Sequence, residues 1–396
     1  MGVGARRPLV SPSGVLAGFE FHTGGPPASR LRRASDAAVA RAYTVNVLGA
    51  MRLCANQGMT AFARLPAAWL VGLEDDAQFA PGMSIDLLID PQARPIAGLG
   101  QLVERLRRLK VTVGWQPPEA PGAGAPPGRP DFIVVGRPPS YDLQGFKQAI
   151  SAAASRWPGV EQVLLDAPDV DMMEALLRPP VALAACAVGP GSAPPRIQAL
   201  PPQAQRLLRL LNRIVRDDDN ALLVADIKAD AAICLRLLQY LNSAGASPGR
   251  PLDSIDQAVM VLGRDALYGW VAQMLVRMAP LRPAAAGLQA MALARARLLE
   301  NRARALGEAN PGALYLLGLA SMLPLLLQCS LADAIDSLRL PEAAVQALRA
   351  RSGPWAGYLE LVETLERQDM VELEKVAQPF GGVEPVLAGW AQAWLS

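Results

Sequence analysis

A single histidine, His22, serves all 396 residues, and this scarcity excludes more chemistry than any other property of the sequence. Schemes that use imidazole as general base, nucleophile activator or metal ligand need one at the site; beyond position 22 there is none. Cysteine is nearly as scarce. Cys54, Cys186, Cys234 and Cys329 are dispersed in apolar stretches, with no CxxC pair, so neither a zinc site nor a disulfide framework is expected. Each reads as a small core residue. Charge of one sign is also lacking: 38 basic and 36 acidic residues leave a net +2. The arginines are interleaved with acids, as in LVERLRRLK and ARARLLENRARALGEAN, which describes solvated helix faces rather than a phosphate-binding stripe, and no nucleic-acid partner is expected. No signal-length apolar run opens the chain, so a cytoplasmic protein is expected. The one long apolar stretch, Ala313 to Ala332, is interrupted by Ser321, Pro324 and Gln328 and lacks a basic flank, which reads as buried helices and not a membrane span. There is no Walker loop and no Gly-x-Ser-x-Gly elbow, and the N-terminal GVGARR does not join a strand to a helix as a dinucleotide loop must.

What is present is a hydrophobic fraction of 51% against 19% charged residues, the composition of a compact globular chain long enough for two or three domains. Up to Cys186, short β-rich runs (VLAGFEF, TAFARL, SIDLLI, VTVGW, DFIVV, QVLLD, VALAACAV) alternate with stretches whose apolar residues recur three and four apart. Strands alternating with helices predict βα units around a mostly parallel sheet. Seven strands favour a TIM-like α/β barrel over a doubly wound sheet, in compact or eroded form, because a complete barrel takes about 250 residues. Gln116 to Pro130 reads as a mobile insertion, and a second Pro/Gly-rich segment, Val188 to Pro202, as the linker between domains.

After that linker the pattern is all-helical. QAQRLLRLLNRIV presents one apolar face and is broken by Asp217 to Asn220; Asp230 is placed to cap AAICLRLLQYLNSA; and Ser254 with Gln257 has capping-box spacing for the next helix. The expected organisation is a barrel domain at 1–187, a linker at 188–202 and a helical domain at 203–396.

The segment AAICLRLLQYLNSAGASPGRPLDSIDQAVMVLGRDALYGWVAQML, from Ala231 to Leu275, resembles the HDOD family. An apolar helix ends in Asn242, Ser243 and Ala244, followed by Ser254 and Ile255, then Leu262 and Gly263, then Leu267 and Trp270. Helix termination and capping is the role read for Asn242 to Ala244 and the turn to Ser254, and a structural role for the other signature positions. GALYLLGLASMLPLLL is similar to the family helix that carries the ancestral HD pair, and here those places hold Ser321 and Met322. A hydroxyl and a thioether bind hard divalent cations weakly, so no metal is expected there.

HDOD domains that follow a βα domain are commonly joined to an EAL domain, the cyclic di-GMP phosphodiesterase barrel, and the first half of the chain resembles a degraded copy. LAGFEF is similar to the signature strand, with Glu20 at the metal-binding glutamate and Gly24 where an arginine belongs. Arg64 replaces the ligand asparagine, Asp86 stands near a glutamate position, Gly114 and Trp115 replace the paired aspartates, and Val134 stands for the lysine beside a retained Asp131. The resemblance therefore implies three vestigial acids, Glu20, Asp86 and Asp131, without the set that two-metal hydrolysis requires. His22 is assigned no role. The function expected is non-catalytic bacterial signal transduction through contacts with an unidentified signalling protein, with no cofactor and no metal, and with a homo-oligomer open. The alternative is a sensor that binds cyclic di-GMP or another nucleotide without cleaving it.

Overall fold

The computed structural model describes residues 5–22, 37–89, 95–116, 128–186, 188, 199–242, 254–279, 282–338, 340–367 and 369–394. Eight strands, β1 (Ala5–Val10), β2 (Leu16–His22), β3 (Thr60–Pro66), β4 (Met83–Leu88), β5 (Thr112–Trp115), β6 (Phe132–Val135), β7 (Glu161–Leu164) and β8 (Val181–Ala185), close into a barrel in sequential order. All seven predicted runs are strands. The eighth is β1, so the barrel has not lost a strand as the eroded form implied. ARRPLV hides it: two arginines interrupt the apolar alternation and Pro8 has no N–H to give to a ladder. Pro8 instead offers its carbonyl, which accepts from Cys186 N–H at 2.8 Å. β1 runs antiparallel to both neighbours, β2 and β8, and the other pairs are parallel.

Period-two alternation sorts the strand side chains. Phe19, Phe21, Ala61, Ala63, Ile85 and Val113 pack outward with α1 (Ala37–Asn56), α2 (Ala67–Val71) and α3 (Leu99–Arg108) in one core. Leu9, Phe62, Phe132, Val134, Val163, Leu165 and Ala185 form a separate cluster that fills the interior. Two more helices, α4 (Leu143–Arg156) and α5 (Val170–Leu176), begin at aspartate caps, Asp142 and Asp169, whose carboxylates accept from the amides three residues on.

Beyond the barrel strands come α6 (Pro202–Val215), α7 (Asn220–Lys228), α8 (Ala231–Asn242), α9 (Ile255–Val276), α10 (Ala285–Ala305), α11 (Pro311–Ala320), α12 (Leu323–Leu327), α13 (Leu331–Leu338), α14 (Glu342–Ala350), α15 (Ala356–Arg367), α16 (Met370–Val376) and α17 (Val383–Ala393). The long apolar run becomes α11, α12 and the start of α13, with Pro324 in the first turn of α12. No helix among the described residues is long and apolar enough to cross a membrane. Asp230 caps α8 by accepting from Ala232 and Ile233, as its position predicts. Ser254 caps α9 through the amide of Asp256, one residue earlier than the capping-box spacing suggests. Residues 117–127 of the expected mobile insertion, and 187 and 189–198 around the expected linker, lie outside the described residues.

Packing divides the chain into two compact units that do not follow the linear division at the linker. One comprises Met1–Ser192, Leu281–Ala294 and Gly357–Ser396; the other comprises Ala193–Pro280 and Arg295–Ala356. The reason lies on the outer face of β8, β1 and β2. Within the barrel unit, Gly287 of α10 approaches so closely that a Cβ there would lie 3.0 Å from Cys186 Cβ and 3.1 Å from Val10 Cγ1. Trp394, just past α17, sets its ring edge-on to Phe19 at 5.3 Å, and Trp390 packs edge-on against Trp394 at 5.2 Å. Burying a large apolar side chain contributes roughly 1.5–3 kcal/mol, so these contacts draw the C-terminal segment into the barrel unit.

Candidate functional site

Glu20 and Asp86 each stand third from the end of their strands, β2 and β4, and both are 1% exposed in the barrel interior. Each faces an arginine in register on the adjacent strand. Arg7, opposite Glu20 on β1, places Nε at 2.7 Å and Nη2 at 2.6 Å from Glu20 Oε2. Arg64, opposite Asp86 on β3, donates from Nε to Asp86 Oδ2 at 3.2 Å, while its Nη1 lies 4.0 Å from Asp166 Oδ2. Asp86 Oδ1 is buried and has no hydrogen-bond partner among the described residues. Burial pushes the Asp86 carboxyl above the usual range, and Arg64 opposes that rise.

Asp131 is elsewhere. It precedes the first residue of β6, and its carboxylate accepts from Val113 N–H at 2.8 Å and from Arg107 Nη2 at 2.8 Å. The three acids named from the sequence are therefore not brought together: two lie near strand C-termini and one at a strand N-terminus, where it fixes β5 to β6. Gly114, in the position of the first paired aspartate, has its space taken. A Cβ there would lie 2.3 Å from Phe132 Cε2, and the Phe132 ring packs at 5.5 Å from that of Phe62. Trp115, the second position, is in the outward core cluster and Val134 in the interior one.

These residues do not fit the two-metal centre that the EAL resemblance implies. A divalent ion at either interior carboxylate would sit beside a guanidinium already bonded to it, and Phe132 fills the volume where a further ligand would project. Among the described residues no three His, Cys, Asp or Glu side chains cluster to hold a metal ion. Beyond the strand ends, Tyr141, 39% exposed, donates its hydroxyl to the Asp166 carbonyl at 2.7 Å, and the Arg137 guanidinium lies 3.9 Å from the ring centroid. Burial is the first cause raising the Tyr141 hydroxyl above its ordinary value.

In the helical unit, the places of the ancestral HD pair fall at the end of α11. Ser321 Oγ donates to the Gly318 carbonyl at 2.6 Å and accepts from Arg295 Nη1 at 2.8 Å; Met322 is fully buried. Arg295, on α10, is only 3% exposed. A Cβ at Gly318 would lie 2.8 Å from Ala296 Cα, so α10 and α11 run in near backbone contact and leave little room between them. Of the signature residues, Asn242 ends α8, Ser254 caps α9 and Ile255 is buried behind it. Ser243 and Ala244, and the side chain of Asn242, lie outside the described residues. Leu262 is half-buried, and Gly263 has φ 73° and ψ 166° inside α9, which kinks the helix. Arg264 then ties the kink to the α6–α7 turn by donating to the Asp218 carbonyl and to Asn220 Oδ1. Leu222, Leu235, Tyr240, Met260 and Val261, on the mutually packed α7, α8 and α9, remain exposed, Met260 by 72%.

Sequence reasoning missed Arg7 and Arg295, because an arginine in ARRPLV or in a charged helix reads as solvated. The available signal was position: Arg7 falls on the interior face of the alternation through Leu9.

Comparison with known proteins bears on the helical half first. Residues 198–350 match the family model described as HDOD domain. An HDOD domain therefore lies at residues 198–350. A curated relative, the uncharacterized protein YuxH of Bacillus subtilis (strain 168), is 26% identical over 160 residues, 40% of this chain and 39% of that protein, so the match spans about two fifths of the relative's length. Among solved structures, the EAL domain of Mycobacterium smegmatis DcpA is 13% identical, covers 46% of this chain and 88% of its own, and has a TM-score of 0.33. The HDOD domain protein with unknown function from Geobacter sulfurreducens is 17% identical, covers 51% of this chain and 95% of its own, and has a TM-score of 0.30.

Proposed function

We propose that the chain is a non-catalytic regulator of bacterial signalling that acts by protein contacts, an EAL-derived barrel joined to an HDOD helical domain. The carrying observation is that the interior carboxylates already have arginine partners while Phe132 closes the space above Gly114. Two-metal hydrolysis needs free carboxylates around a shared space, and that space is filled by side chains. The HDOD domain supports a signalling role, and the apolar side chains exposed on α7, α8 and α9 supply a surface of the kind that protein partners cover.

Two measurements on the full-length chain test this reading. Incubation with cyclic di-GMP and magnesium or manganese should give no hydrolysis at high protein concentration; turnover abolished by Glu20→Gln would overturn it. Affinity capture from the native cell should retain a discrete protein that Met260→Glu with Val261→Glu releases; capture unaffected by that double change would remove α9 from the contact.

A second reading, a sensor that binds a nucleotide without cleaving it, is favoured by the Arg137–Tyr141 stack beside Asp166, since an exposed guanidinium on an aromatic ring offers a planar face. Calorimetric titration with cyclic di-GMP separates the two. Micromolar binding lost in Tyr141→Ala would establish the sensor.

A further inference from the structure

We infer that Arg7 and Arg64 are built-in counter-ions, guanidinium charges supplied by the chain itself that neutralise Glu20 and Asp86 in the barrel interior and make the barrel independent of divalent metal. The inference rests on the non-catalytic reading and names what stands in the place of the cation.

Two separate strand pairs carry the same arrangement. Arg7 and Glu20 are register partners across β1–β2, and Arg64 and Asp86 are register partners across β3–β4. In each pair the carboxylate is 1% exposed and the arginine is the more exposed partner, at 12% and 26%. A carboxylate taken out of water without a partner is costly, and it is stable only with an opposite charge and hydrogen bonds at close range. Guanidinium meets both needs, because its pKa keeps it charged and its fork presents adjacent N–H donors. Arg7 uses that fork, with two nitrogens on one oxygen of Glu20.

A divalent ion added to this interior would meet the arginines' positive charge before it met a free carboxylate. Asp86 Oδ1 is buried without a hydrogen-bond partner among the described residues, and the one face such an oxygen offers is far below the six to eight ligands that calcium takes or the octahedral shell that magnesium demands. The residues level with Asp86 on either side are Arg64 and Gly114, so Arg64 is the charged group that faces it, with Asp166 reaching Arg64's other end.

Thermal denaturation of the full-length protein tests the inference, with Arg7→Met, Arg7→Lys, Arg64→Met and Arg64→Lys measured at pH 7 and pH 5, with chelator and with millimolar manganese. The Tm of the unchanged protein is expected to be the same with chelator and with manganese. Each Met variant is expected to melt lower at pH 7, and the deficit to shrink at pH 5. The sign follows from linkage: an unpartnered buried carboxylate has a folded pKa above its unfolded one, so its destabilisation is present at neutral pH and fades as protonation removes the charge. Lys at either position should recover most of the loss. A manganese-induced rise in Tm of the unchanged protein would overturn the inference. So would Met deficits equal at both pH values and unrecovered by Lys, which would make the arginines packing groups only. Should a Met variant fail to fold, the Lys variant and a manganese titration of the unchanged protein decide the matter alone. Hydrolysis of cyclic di-GMP, measured separately, would overturn the non-catalytic reading without altering the pH behaviour of the variants.

Discussion

Glu174 Oε1 accepts two hydrogen bonds at 2.8 Å, one from Arg282 Nε and one from the Ala284 backbone N–H. One carboxylate oxygen on α5 thus holds the residues that lead into α10 and satisfies an amide at its entrance, a capping role played from a distant part of the sequence. Glu174→Ala is expected to lower stability by about 1–3 kcal/mol, the cost of a lost cap together with a charge-assisted bond. Glu174→Gln, which keeps an acceptor, should recover part of it. Equal losses in chemical denaturation would show that the ion pair alone matters.

Trp390 is 1% exposed and lies against Trp394, which in turn lies on Phe19. Trp390→Ala should cost about 3–5 kcal/mol. The same packing predicts that residues 1–192 expressed alone will aggregate, since Leu281–Ala294 and Gly357–Ser396 belong to the same compact unit. A monomeric, cooperatively melting 1–192 fragment would contradict this.

Gly263 and Gly269 lie in the same helix, and a Cβ at either would meet nothing within 4 Å. Only Gly263 has positive φ, with ψ in a region essentially reserved for glycine. Gly263→Ala is therefore expected to destabilise by about 1–3 kcal/mol. Gly269→Ala, at an ordinary helical position, should stabilise by about 0.5–1 kcal/mol. Denaturant midpoints shifting in the same direction for both would exclude the backbone explanation.

Asp230 caps α8 and pairs with Arg206 at 2.6 Å, and the Arg206 hydrogen bond holds its carboxyl below the usual range. A depressed folded pKa contributes stability above the unfolded carboxylate pKa that is lost as pH falls through the folded one. Asp230→Asn keeps an acceptor for the cap and removes the charge. Its deficit should be present at pH 7 and close at acid pH.

Gly114→Asp restores a carboxylate where the EAL pattern has one, yet the new Cβ would fall inside the Phe132 ring volume. The variant is expected to be destabilised and to bind no manganese in calorimetry. A stable, manganese-binding Gly114→Asp protein would show that Phe132 moves aside readily.

The parts of this molecule legible in its sequence are those set by short-range rules. Alternation found seven strands, the aspartate at 230 announced its cap, and Pro324 with Ser321 correctly divided the long apolar run into helices. β1 escaped because Arg7 shares its interior face with Leu9 and breaks the apolar alternation, and its partner Glu20 is identified only once the strands pair. Asp131 reads as a ligand by resemblance, although it opens the run DFIVV and so falls at the strand N-terminus; what the sequence does not announce is its bond to Val113 N–H, which depends on how the strands pair. The division into units escaped for the same reason: Trp394 touching Phe19 is a contact between the two ends of the sequence, which no local pattern announces.

The unit boundaries fall between 192 and 193, 280 and 281, 294 and 295, and 356 and 357, so the chain passes from one unit to the other four times. In polymer terms the helical unit is a pair of closed loops, each tethered at both ends. Tethering restricts the unfolded conformations of a loop and lowers the entropy lost when its ends come together. Part of the stability of the helical unit is then expected to reside in that connectivity, so that cutting either loop should weaken it without removing a side-chain contact.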